Sequence, residues 1–83
     1  MEKSIYTSEY SLFLEQLKIA REQKGLTQIE VAERLGQTQS FVSKVERGER
    51  RLDIVELRAF CTALGIGFPT FIAQIEKVLA NVR

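Results

Sequence analysis

The stretch Thr27–Gly48, TQIEVAERLGQTQSFVSKVERG, decides the fold, because it holds two short helical patterns joined by a glycine turn. Thr27 stands as an N-cap with Glu30 three residues on. This is a capping box, in which each side chain satisfies a free backbone N–H of the other residue. From Gln28 to Leu35 the apolar side chains Val31, Ala32 and Leu35 fall on one face. Gly36 can take the left-handed backbone that ends a helix tightly. Thr38 can then cap a second helix running from Gln39 to about Arg47, which Gly48 closes.

At about 100° per residue the second helix sets Gln39, Ser40, Ser43, Lys44 and Arg47 on one continuous arc and Val42 and Val45 on the opposite side. One face is made to bind something polar. Ala32 precedes the turn glycine by four residues, Val42 follows it by six and Val45 stands three further on. That spacing suits two helices crossing closely, with a small residue at the crossing and β-branched wedges in the angle. Together these residues resemble the helix-turn-helix of the phage repressor and Cro proteins, the XRE-like family of bacterial regulators. The residues that carry the resemblance are Leu17, Ala20, Arg21, Gly25, Leu26, Thr27, Gln28, Ala32, Gly36, Gln39, Val42, Ser43, Glu46, Gly48, Leu57, Leu64 and Gly65. It covers roughly Leu14 to Ile66, most of the chain.

The chain has 83 residues, enough for one small domain burying about 60% of its unfolded surface but not for two cores. A hydrophobic share of 45% and a charged share of 28% are those of an ordinary globular protein, and the residue types favour helix. No apolar stretch is long enough to span a bilayer, and the N-terminus lacks the basic and apolar regions of a signal peptide, so the expected location is cytoplasmic. A formal charge of +1 argues only weakly for nucleic acid. Its distribution says more: Lys44, Arg47, Arg50 and Arg51 gather beside the polar helix face, and Lys18, Arg21 and Lys24 lie late in the preceding helix. Cys61 is the one cysteine and no histidine is present, so neither a disulfide nor a metal site is expected, and no cofactor motif occurs. With its neighbours Leu57, Ala59, Phe60 and Leu64, Cys61 reads as a buried thiol. Missing histidine also removes the commonest general base, and no enzyme is expected.

Outside the central stretch, residues 1 to about 7 read as a loose lead-in, although Ile5 and Tyr6 offer apolar side chains that can fold back. Helix one is expected from about Ser8 to Lys24, with Phe13 or Leu14, Leu17, Ala20 and Arg21 inward and Gly25 as its stop. Asp53 and Glu56 make a second capping box, opening a fourth helix that reads as mostly core and ends at Gly65. A last helix starts at Phe68 or Pro69 and continues to about Asn81. The expected fold is therefore all-α, a compact five-helix repressor-like domain over residues 1–83, with its core at 8–66 and a C-terminal helix at about 68–81. Phe71, Ile72, Ile75, Val78, Leu79 and Val82 make that last helix apolar around most of its circumference. This implies a homodimer built on it, the alternative being that Tyr6, Tyr10 and Phe13 of helix one cover the second side.

The resemblance implies binding of double-stranded DNA as a transcriptional regulator, a repressor in expectation, with helix 39–47 in the major groove of a palindromic operator. Gln28 then touches the DNA backbone and steadies Gln39, which pairs bidentately with adenine. Ser40, Ser43 and Lys44 follow on the same arc, with hydroxyls suited to either base edge and a lysine suited to guanine O6 and N7. Lys44 departs from the glutamine found there in some phage repressors, so no operator sequence carries over. Thr27, Thr38, Arg47, Arg50 and Arg51 are expected at phosphates, fixing register without reading sequence; for each arginine alone the alternative is a solvated charge. Phe41 either packs under a neighbouring helix or offers its edge to a thymine methyl. Glu46 flanks the valines on the core side and needs a partner. The resemblance supplies Arg21, as a structural ion pair. Two rivals stand beside this reading: a protein-interaction module using the Phe68–Val82 surface, and an antitoxin or restriction controller of the same fold. The polar, basic arc from Gln39 to Arg47 favours DNA over a protein partner.

Overall fold

The computed structural model describes residues 3–81, with side chains from residue 8 onward. It contains five helices and, among the described residues, no strand: α1 Lys3–Gln23, α2 Gln28–Leu35, α3 Gln39–Arg47, α4 Ile54–Leu64 and α5 Phe68–Ala80. The expected loose lead-in is corrected at its inner end, since α1 already begins at Lys3. Neither glycine nor proline lies between Lys3 and Ser8, so nothing in the local chain stops the helix from running back through these residues. The possible packing of Ile5 and Tyr6 and the place of Val82 lie outside the described side chains.

The capping signals are in place. Thr27 Oγ1 accepts from the Glu30 backbone N–H at 3.1 Å while Glu30 Oε1 accepts from the Thr27 N–H at 2.8 Å. Asp53 and Glu56 repeat the arrangement at α4, at 2.7 and 2.9 Å. Gly36, at φ 69°, ends α2 by turning its N–H back onto the carbonyls of Ala32 and Glu33. Gly48 has a second constraint besides φ +83°: a Cβ there would stand 3.3 Å from Leu14 Cδ1, so glycine also lets α1 approach the end of α3.

The core is one cluster built from all five helices, with Leu14, Leu17, Ala20, Val31, Ala32, Val42, Val45, Phe60, Cys61, Ala63, Leu64 and Phe71 buried. Val31 and Ala32 of α2 face Val42 and Val45 of α3 within it. None of the four is more than 3% exposed, so the angle between the two helices is set by apolar packing. Arg34 ties α2 to the end of α4, donating to the Ala63 carbonyl at 2.8 Å.

Two expectations about exposure need correction. α4 is less buried at its start than expected: Ile54 and Val55, in its first turn, are 67% and 73% exposed, and its buried side chains, Phe60, Cys61, Ala63 and Leu64, all lie further along. Phe71, expected on a dimer face, is wholly buried, its ring met by Phe13 of α1 at 6.5 Å between centroids. Tyr10 continues that aromatic row, 5.3 Å from Phe13, so α1 covers the Phe71 side of α5. Ile72 remains exposed, while Ile75, Val78 and Leu79 are half-buried.

Cys61 is 1% exposed, and burial pushes its thiol above the ordinary range, so the reactive thiolate is scarce at neutral pH. Native protein is accordingly expected to resist alkylation by iodoacetamide and to label promptly in urea. Rapid labelling without denaturant would show that this part of the core opens readily.

Candidate nucleic-acid interface

α3 is held by its buried valines so that its other side is free. Gln39, Ser40, Lys44 and Arg47 are exposed and Ser43 is half-buried, giving a polar strip along one flank of the domain. Thr38 caps it, accepting from the Phe41 N–H at 3.1 Å. Thr27 and Gln28 bring the start of α2 to the same flank, where Gln39 Nε2 donates to Gln28 Oε1 at 2.7 Å. The N-terminal N–H groups of α2 and α3 carry the positive end of each helix dipole, which suits phosphate.

Beneath the strip lies a charged support. Arg21 Nε donates to Glu46 Oε2 at 2.6 Å and its Nη2 to Oε1 at 3.1 Å, a bidentate pair. The two side chains are only 11% and 5% exposed. Arg21 Nη1 also donates to the Leu26 carbonyl at 2.8 Å, fixing the loop between α1 and α2. Gln28 Nε2 donates to Glu46 Oε1 at 3.0 Å, so this ion pair connects directly to the glutamines on the surface. The helix pattern alone does not reveal that link, because Gln28 and Glu46 sit on different helices.

The three outer arginines are all engaged within the domain. Arg47 donates to Ser43 Oγ and to Glu49, at 3.0 Å from Nε. That hydrogen bond, reinforced by the arginine's charge, holds the exposed Glu49 carboxyl below its ordinary range. Arg50 grips Glu56 with two nitrogens, at 2.7 and 3.2 Å, and lies 5.2 Å above the Phe41 ring. Arg51 lies over Tyr10 at 4.2 Å. Phe41 packs inward, 6.3 Å from Phe60, with Arg50 over it, which favours the packing role over contact with a thymine methyl. Lys44 makes no salt bridge among the described residues, so its ammonium is available to a partner. Nothing in the spacing of Glu49 or Glu56 marks them as partners of this face; the sequence shows Glu56 only as a cap.

The comparisons agree with this arrangement. The helix-turn-helix family model matches residues 17–71, from the middle of α1 into α5. The chain is 44% identical over 63 residues to an uncharacterized HTH-type transcriptional regulator, y4dJ, of Sinorhizobium fredii, covering 76% of this chain and 82% of that protein. Among solved structures it is similar to an XRE-family like protein from Pseudomonas syringae pv. tomato, with a TM-score of 0.85 and 42% identity over 92% of this chain and 93% of that one. It is also similar to the restriction-modification controller protein C.Esp1396I, solved as a tetramer in complex with its natural 35 base-pair operator. That match has a TM-score of 0.80 and 25% identity over 88% of this chain and 96% of the other. With capped α2 and α3 packed through buried valines, a polar α3 flank and a family match across residues 17–71, the chain belongs to the helix-turn-helix family, of the XRE type.

Proposed function

We propose that this protein binds double-stranded DNA sequence-specifically as a transcriptional regulator, a repressor, laying α3 in the major groove. The observation that carries the reading is the exposed strip of Gln39, Ser40, Lys44 and Arg47 on a short helix whose opposite side is locked into the core. Gln39, Ser40, Ser43 and Lys44 read base edges, and Thr27, Gln28, Thr38, Arg47, Arg50 and Arg51 meet phosphates. To do so the arginines exchange neighbouring carboxylates and rings for phosphate oxygens. This is a binding role rather than an enzymatic one, exercised in the cytoplasm. No single helix among the described residues is long and apolar enough to cross a membrane.

The test is selection of bound duplexes from random DNA, followed by affinity measurement at fixed salt. A site bound at least about a thousandfold more tightly than random sequence is expected. Equal affinity for all sequences would reduce the role to non-specific coating. Replacing Arg50 with alanine should weaken binding to selected and random duplexes alike and lower the salt slope by about 1, as for one lost phosphate contact. An unchanged slope removes Arg50 from the contact set.

The regulator acts as a homodimer through α5, on the surface left by Ile72, Ile75, Val78 and Leu79. A twofold axis there sets two recognition helices about 34 to 36 Å apart and makes the operator a palindrome. Sedimentation at micromolar concentration checks this: dimers are expected, and Ile72→Glu should give monomers. A wild-type protein that stays monomeric, free and on the full palindrome, would end the dimer reading. The likeness to a restriction-modification controller protein supports a controller of the same fold as a second reading of what it regulates.

A further inference from the structure

Gln39 carries a side-chain amide whose two ends differ, an oxygen that accepts and a nitrogen that donates twice. Which end faces the groove decides which base it suits. An acceptor beside a donor matches adenine, whose N6 donates and N7 accepts, whereas two donors match guanine, whose O6 and N7 both accept. An isolated glutamine can present either arrangement by a half-turn of its amide. Here the orientation is set from below. Arg21 offers only donors, and two of its nitrogens hold the Glu46 carboxylate. A carboxylate only accepts, so Gln28 must turn its nitrogen toward Glu46, at 3.0 Å, and its oxygen away. That oxygen then takes one N–H of Gln39, at 2.7 Å. Gln39 is left with its Oε1 and one N–H side by side.

We propose that Glu46 is a positioning residue for base choice: through Gln28 it fixes the amide polarity of Gln39 and so makes it an adenine reader rather than a guanine reader. This rests on the DNA-binding role above and adds to it a cause of specificity two residues removed from the base. Each step follows from donor and acceptor chemistry at adjacent contacts, and Glu46, its side chain nearly buried and gripped by Arg21, is the fixed origin of the chain. A glutamine at position 46 has a donor as well as an acceptor. It can keep one bond to Arg21 with its oxygen while turning its nitrogen to Gln28, which reverses both outer amides and leaves Gln39 with two donors toward the groove.

The experiment measures anisotropy of fluorescein-labelled duplexes carrying the selected site, with adenine or guanine at the position where Gln39→Ala loses base preference. Wild type should favour adenine by about tenfold or more, as for one bidentate pair. Gln28→Met cuts the chain but leaves the Arg21–Glu46 pair, so its adenine-to-guanine ratio should fall close to one whatever its overall affinity. Glu46→Gln should move the ratio toward guanine by at least about tenfold. Circular dichroism establishes that each variant is helical; should Glu46→Gln fail to fold, Gln28→Met decides alone. A folded Gln28→Met protein with the wild-type ratio overturns the proposal, as does the absence of any position sensitive to Gln39→Ala. A wild-type protein that selects no sequence overturns the DNA-reading role itself, a result distinct from either.

Discussion

Replacing Glu46 with alanine is expected to destabilise the fold by about 3 kcal/mol, near the lower end of what breaking a buried ion pair costs. The magnitude follows from what is left behind rather than from what is removed. Arg21 is 11% exposed, and without Glu46 it keeps only the Leu26 carbonyl as a partner for five N–H groups. Gln28 also loses the acceptor of its Nε2. A desolvated guanidinium with little to bond is costly, and both helices that flank it are pinned by packing and cannot easily turn it to water. Urea denaturation measures the effect as a fall in midpoint at unchanged slope. A loss below about 1 kcal/mol, the value of an exposed pair, would show that solvent already reaches this site. The double variant Arg21→Ala with Glu46→Ala should recover part of the loss, since neither charge is then left alone.

Gln39→Ala is expected to weaken binding to the selected site by about 1 to 3 kcal/mol while changing affinity for random duplex far less. A bidentate base contact discriminates; a phosphate contact does not. Gln39 is well placed for the former, because its amide is held by Gln28 at 2.7 Å and little conformational freedom remains to be lost on binding. Titration of both duplexes at one salt concentration gives the two losses directly. Equal losses would assign Gln39 to the backbone contacts and leave Ser40, Ser43 and Lys44 as readers.

The turns and helix ends were legible in the sequence because their causes are local. Thr27 with Glu30, Asp53 with Glu56, and the stops at Gly36, Gly48 and Gly65 each act within one turn of the residue that signals them. The start of α1 was not, since no capping residue or breaker marks Lys3 and a helix without a signal simply runs on. α5 posed a different difficulty. A helix apolar on most sides does not say which side its neighbours cover, and only the Tyr10, Phe13 and Phe71 row shows that α1 takes Phe71. The fourth helix read as mostly core, yet which of its residues meet solvent, as Ile54 and Val55 do, is a property of the assembled domain. Within the candidate site the polar arc of α3 came from periodicity alone. The link from Glu46 through Gln28 and the clasp of Arg50 on Glu56 depend on how separate elements meet, and nothing in the spacing of either pair announces them.

Sequence reading by α3 in the major groove is tested most directly by dimethyl sulfate footprinting on the selected duplex, because the reagent methylates guanine N7 in the major groove and adenine N3 in the minor groove. Protection of guanine N7 is expected in two patches about one helical turn apart, with adenine N3 left reactive throughout. Protection confined to adenine N3, or a bound duplex with every guanine N7 still reactive, would contradict it and place the helix outside the major groove.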